Sequence, residues 1–157
     1  MLDAGWLLTD AGLTLNGETW RTLAGFADHV ARVWDRPDAG IWEQRTAPAH
    51  HVHSKLMAWL ALDRAMRIAE ARGERHARRR SRLRRWELAR SALGADVHRR
   101  GYDEERCTYT ATYGSAELDA ATLVLPLIGL EPADGPRVRG TVDAVLGGLR
   151  AGGPLLY

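Results

Sequence analysis

Pro37-Asp-Ala-Gly-Ile-Trp-Glu-Gln-Arg45, followed by Ala49-His-His-Val-His-Ser-Lys55, is the stretch on which the rest of the chain turns. Pro37 disfavours helical geometry at the residue before it, so the helix leading into this stretch must end there. Gly40 permits a sharp turn. Trp42 then offers a flat apolar face of the kind on which sugars stack, and Glu43 stands beside it. An apolar wall that excludes water disfavours the charged carboxylate and raises its pKa, as a general acid working near neutral pH requires. The same pair is also what an exposed loop glutamate next to a core tryptophan would look like, and spacing alone leaves both readings open.

Upstream, Trp20, Leu23, Ala27, Val30 and Trp34 recur at three- and four-residue steps, one face of an amphipathic helix, with Asn16 as its N-cap. A shorter Ala- and Leu-rich piece, Leu2 to Ala11, precedes it and stops near Gly12. Downstream, a helix is expected from Ser54 as N-cap to Gly73 as C-terminal stop. Its first half, Leu56 to Leu62, is apolar at every position and is expected to be buried on all sides, whereas Asp63 and Arg67 begin a wet face as an i,i+4 pair.

A basic run follows, with Arg75, Arg78, Arg79, Arg80, Arg82, Arg84 and Arg85. Leu83, Trp86, Ala89, Leu93 and Val97 keep a helical apolar stripe through it, and Glu74, Glu87 and Asp96 dilute its charge. The run reads as a solvated helix face that closes at Gly101, and no nucleic-acid partner is expected. Cys107 to Tyr113 alternates as an extended segment does. Ser115 is expected to cap a helix carrying Leu118, Ala121, Leu125 and Ile128 inward, with Glu117 and Asp119 in its first turn and Pro126 kinking or ending it. A last helix from Val138 turns Val142, Val145, Leu146 and Leu149 inward and stops at Gly152-Gly153.

With 157 residues, 45% hydrophobic and 27% charged, the chain can build one domain with a real core. The net charge of +2 does not mark a nucleic-acid binder, and Lys55 is the single lysine. Cys107 is the single cysteine, so no internal disulfide and no cysteine-based zinc cluster can form. His50, His51 and His53 lie close together but make no i,i+4 pair and have no nearby carboxylate to complete a ligand set, so neither metal nor cofactor is expected. No leader and no membrane-spanning stretch stands out, and a cytoplasmic protein without a membrane partner is expected. The result is an all-α chain of about five helices, two of them too apolar for the surface of a small bundle. It is read as a piece of something larger, with self-association expected through exposed apolar helix faces.

The residues resemble a known family. Pro-Asp-Ala-Gly-Ile-Trp-Glu-Gln-Arg (37 to 45), His-Ser-Lys-Leu-Met-Ala-Trp-Leu-Ala-Leu-Asp-Arg-Ala (53 to 65) and Tyr-Gly-Ser-Ala-Glu-Leu-Asp-Ala-Ala-Thr-Leu-Val-Leu-Pro-Leu (113 to 127) resemble the bacterial branch of glycoside hydrolase family 15, the glucoamylase, glucodextranase and trehalase group. Pro-Arg-Val-Arg-Gly-Thr-Val-Asp-Ala-Val (136 to 145) extends the match. The resemblance implies a partial (α/α)6 toroid of the six-hairpin glycosidase type, with residues 1–157 forming a single partial catalytic domain. It implies inverting hydrolysis of an α-glucoside such as trehalose or dextrin, in which one carboxylic acid protonates the glycosidic oxygen and a second carboxylate activates water. Glu43 matches the family's general acid, Trp42 and Arg45 its sugar-contacting neighbours, and His53 and Lys55 the residues that frame the pocket.

The departures matter too. The resemblance places the family's general base downstream of a block matching Leu155-Leu156-Tyr157, so this chain is expected to carry the acid without the base and to be inactive or weakly active alone. Glu117 and Asp119 are conceivable substitutes, although their place in a helix's first turn suits capping or a supporting role. Where relatives carry Arg and an aromatic residue before the serine, this chain has Ala49-His-His-Val-His53. The competing reading is a non-catalytic α-helical module for sugar binding or interaction.

Overall fold

The computed structural model describes residues 1–43, 45, 47–73 and 77–150, without the side chains of residues 77–79. Gln44 of the motif, Glu74 and Arg75 of the basic run, and the expected stop at Gly152-Gly153 lie outside the described residues, as do the side chains of Arg78 and Arg79. Helices α1 (Leu2–Asp10), α2 (Gly17–Val33), α3 (Val52–Ala71), α4 (Ala77–Asp96), α5 (Leu125–Ile128) and α6 (Pro136–Gly148) dominate. A π-helical turn, Val97–Gly101, continues α4, and a 3₁₀ turn, Ala120–Val124, leads into α5. Two short strands, β1 (Tyr102–Asp103) and β2 (Thr108–Tyr109), pair antiparallel. The all-α class holds. The chain divides into two compact units, Met1–Asp35 with Met57–Leu93, and Arg36–Leu56 with the chain from Gly94 onward.

In the first unit the periodic stripe of α2 does what its spacing predicts. Asn16 Oδ1 accepts from the Thr19 amide at 2.8 Å, capping the helix. Trp20, Leu23, Ala24 and Ala27 are buried with Leu62, Ala65, Ile68 and Ala69 of α3 and Trp86 and Ala89 of α4. Trp20 and Trp86 meet edge to face at 6.2 Å, and the Trp86 indole donates to Asp28 Oδ1 at 3.0 Å, so its one polar atom is satisfied in the core. Arg82 and Arg85 pair with the same Asp28, which accounts for part of the basic face.

Two expectations for α3 are corrected. Asp63 is no surface partner of Arg67: it is 2% exposed, and its carboxylate is shared by Arg64 and Arg67 at 2.7 Å and Arg90 at 2.6 Å. A buried carboxylate needs such compensation, and α4 supplies the third guanidinium that a reading of α3 alone cannot foresee. Nor is the segment from Leu56 to Leu62 enclosed throughout. Leu56 and Leu62 are buried, but Met57, Ala58, Trp59, Leu60 and Ala61 are only half-buried.

In the second unit, β2 is fastened to α6. The Tyr109 amide donates to Thr141 Oγ1 at 3.1 Å, and the same hydroxyl donates to the Arg137 carbonyl at 2.8 Å. Gly140 is required there, since an added Cβ would run into the Cys107 carbonyl. The buried stripe of α6 is Val138, Thr141 and Val145; Leu146, expected inside, is exposed, because the face that meets β2 is set by Thr141. Tyr109 is fully buried and its hydroxyl donates to Glu131 Oε1 at 2.6 Å with His98 Nδ1 2.9 Å away. Burial, and then the Glu131 carboxylate, push this phenol well above its ordinary pKa.

The expected helix from Ser115 does not form. The Ala111 amide donates to the Glu117 carbonyl at 2.7 Å, residues 115–119 form no helix, and helical geometry begins only at Ala120, capped by Asp119. Leu125 and Ile128 still face inward, and Pro126 sits in the first turn of α5, where its missing amide costs nothing. No helix among the described residues is long and apolar enough to cross a membrane.

Candidate active site

The candidate site is a turn fixed at both ends within the second unit. Asp38 and Ala49 pair through both backbone hydrogen bonds at 2.9 Å, closing the loop at its base. Inside it, Asp38 Oδ1 accepts from the Gly40 amide and from Ser54 Oγ, each at 2.7 Å. The first contact is an Asx turn, legible in the Asp-Ala-Gly spacing. The second corrects the expected cap: Ser54 lies inside α3, which starts at Val52 with the Lys55 amide donating to the His51 carbonyl at 3.2 Å. The serine hydroxyl is taken by Asp38 and ties α3 to the turn.

Gly40 adopts a φ of +70°, and a Cβ there would approach the His51 ring to 2.8 Å. Glycine is therefore needed both for conformation and for space. The chain then passes Ile41 and Trp42 to Glu43, whose amide donates to the Gly40 carbonyl at 3.3 Å and whose own φ is +45°. A left-handed non-glycine residue is uncommon and costs backbone strain, and such residues cluster at functional sites.

Trp42 is 67% exposed, and its indole N–H donates to Asp119 Oδ2 at 3.1 Å. Its ring is not the inward wall that an enclosed acid would need: it is turned to solvent with only its polar edge held. Glu43 and Arg45 are exposed as well. His53, on the first turn of α3, is half-buried; burial lowers its pKa, while the charges of Asp119 and Asp38 raise it in opposition. Lys55 is 2% exposed and its Nζ donates to the Arg36 carbonyl at 2.6 Å, holding the entry to the loop. Trp42 and His53 thus share Asp119 as a neighbour, while Lys55 faces the stem of the loop.

The histidine cluster divides into separate tasks. His50 stacks on Tyr113 with ring centroids 5.6 Å apart, and Arg100 covers Tyr113 at 4.6 Å. Burial, then the charges of Lys55 and Arg100, lower the His50 pKa. His51 is buried under Gly40 and bridges to Thr112 through its backbone. Among the described residues, no group of three or more His, Cys, Asp or Glu side chains could hold a metal ion. The residues that sequence reasoning passed over are Asp38 and His51, which shape the turn. The Asx spacing signals the first, and nothing local signals the second.

Comparisons with known proteins bear on the whole chain. The family described as Glycosyl hydrolases family 15 matches residues 1–156. A trehalase of Mycolicibacterium smegmatis is 36% identical over 156 residues, 99% of this chain and 22% of that protein. A trehalase of Mycobacterium tuberculosis is 35% identical over the same length and 22% of its own. A trehalase of Thermoplasma volcanium is 30% identical over 138 residues, 88% of this chain and 21% of that protein. A solved glycosidase variant in complex with glucose superposes with a TM-score of 0.66 at 21% identity, covering 79% of this chain and 31% of that one, and shares its helical fold. The chain thus spans about a fifth of the length of the relatives it matches. On the match across residues 1–156, with the Gly40-to-Glu43 turn intact, this chain belongs to glycosyl hydrolase family 15.

Proposed function

We propose that the chain supplies the proton-donor segment of an inverting α-glucoside hydrolase, with Glu43 as general acid. The supporting observation is the turn itself: a glutamate in left-handed geometry, carried by a glycine that admits no side chain, beside an exposed tryptophan face. Glu43 would protonate the glycosidic oxygen while a carboxylate from outside this chain takes the proton of the attacking water; inversion sets the two roughly 6.5–9.5 Å apart. Trp42 would stack on the sugar, Arg45 would contact its hydroxyls, and His53 would frame the pocket. Lys55 would frame the pocket by holding the Arg36 carbonyl at the loop's entry. Trehalose is the first substrate to try, because the relatives are named trehalases.

The reading extends to partners and compartment. Leu7, Leu8, Leu13, Phe26 and Leu88 are exposed in the first unit, and through such surface the isolated chain would self-associate. Nucleic acid is not a partner in this reading, since Arg82 and Arg85 are paired with Asp28 and Arg90 with Asp63. The cytoplasm is its proposed compartment.

The test replaces the matching segment of the Mycolicibacterium smegmatis trehalase with this chain and compares Glu43→Gln with the parent chimera. General acid catalysis is worth about 10²–10⁴-fold. The kcat on trehalose should fall by that factor, whereas α-glucosyl fluoride, whose leaving group needs no proton, should be hydrolysed nearly as before. Equal losses on both substrates would remove Glu43 from the acid role. Sugar binding by the parent chimera without turnover would favour the non-catalytic module.

A further inference from the structure

Asp119 lies 77 positions from Trp42 in sequence and touches it in space. Its two carboxylate oxygens are used differently. Oδ1 accepts from the Ala121 amide at 2.9 Å, capping the 3₁₀ turn, and the Asp119 carbonyl accepts from the Thr122 amide at 3.0 Å and Thr122 Oγ1 at 2.7 Å. Backbone and carboxylate plane are therefore fixed by the turn itself, whatever Trp42 does. Oδ2 is left facing outward, and it receives the Trp42 indole N–H at 3.1 Å. The same charge reaches His53, where it opposes the effect of burial.

An indole that is two-thirds exposed has little packing to hold it, and its ring would otherwise sample several rotamers. A hydrogen bond to a charged acceptor is among the stronger single contacts available to it. It fixes the polar edge and leaves the flat face uncovered. Trp42 also immediately precedes Glu43, whose left-handed backbone is held by one long hydrogen bond to Gly40. The anchored tryptophan is thus the chain neighbour of the residue proposed as the acid.

We propose that Asp119 is a positioning residue that acts through Trp42, holding its indole as a preset sugar platform beside Glu43. The proposal rests on the sugar-binding part of the function argued above. A ring fixed before the ligand arrives spares the ordering cost of binding, so loss of the anchor weakens sugar affinity without removing a sugar contact.

The test uses the full 157-residue chain, indole-labelled with ¹⁵N, with the Trp42 signal assigned by its loss in Trp42→Phe. In the parent chain that signal should stand at the position of an indole bonded to a carboxylate and exchange slowly with water. In Asp119→Asn, which keeps an acceptor oxygen but not the charge, the signal should move part of the way toward the position of a solvent-bonded indole. In Asp119→Ala the signal should reach that position and exchange faster with water. A residue that merely caps the 3₁₀ turn would leave the Trp42 signal unmoved in both variants, and that result overturns the proposal. Trehalose and glucose titrations supply the second readout. Trp42→Phe and Asp119→Ala should each weaken binding by about 3–10-fold, the scale of one polar contact at an exposed site. The double variant should be no weaker than either single one, whereas additive losses would overturn action through the indole. If neither sugar perturbs the parent chain, the sugar-binding reading fails, while the position and exchange of the Trp42 signal in the two Asp119 variants still decide whether Asp119 anchors it.

Discussion

The ring of His51 occupies the space that a side chain on Gly40 would fill, 2.8 Å from where its Cβ would stand. His51 is buried and its backbone is bridged to Thr112, so it cannot easily withdraw. Gly40 in turn begins the turn that ends at Glu43.

Gly40→Ala should therefore destabilise the chain by more than backbone strain alone, which is about 1–3 kcal/mol for a residue forced into left-handed geometry. Gly114→Ala is the comparison: its φ of +75° is similar, but nothing lies within 4 Å of an added Cβ. Thermal unfolding of both variants checks this. Equal losses at the two sites would mean that the His51 contact costs nothing.

Asp63→Ala leaves Arg64, Arg67 and Arg90 facing one another around a vacated buried site. Removing one partner from a buried charge cluster costs about 3–5 kcal/mol, far above the few tenths expected of a surface i,i+4 pair. Urea unfolding distinguishes the two, and a loss under 1 kcal/mol would contradict the buried cluster.

His50 and His53 both titrate below the ordinary value of 6.5, chiefly because burial disfavours the imidazolium. A folded pKa below the unfolded one means that the unfolded chain binds more protons between the two values. The contribution to stability is complete above about pH 6.5 and is lost as pH falls from there through the folded pKa. Melting temperature should fall between pH 7 and pH 5, and His50→Asn and His53→Asn should each flatten that slope. An unchanged slope in both variants would assign the acid sensitivity elsewhere.

The purified 157-residue chain should hydrolyse trehalose little or not at all, because inversion needs a second carboxylate. Coupled glucose release is the measurement. Robust turnover that Glu43→Gln abolishes would require a base within residues 1–157.

Local chemistry decided what could be read without coordinates. Asn16 caps α2 because its side chain reaches an amide three residues on, and the Trp20 stripe faces a core because its period is that of a helix. The Pro37-to-Arg45 block, with those at 53–65, 113–127 and 136–145, points to the family and, through that resemblance, to Glu43 as the proposed acid, since such motifs are written in consecutive residues. Tertiary structure alone decided who meets whom. Ser115 looked like a cap, yet the Glu117 carbonyl is taken by the Ala111 amide, the segment stays out of helix, and the capping task falls to Asp119. Asp63 looked wet until α4 brought Arg90 to it. The carboxylate that meets the edge of the exposed Trp42 ring comes from a residue far away in the chain. Periodicity and capping record what a residue does to its near neighbours; a partner 77 positions away leaves no such record, because only the folded path brings the two together.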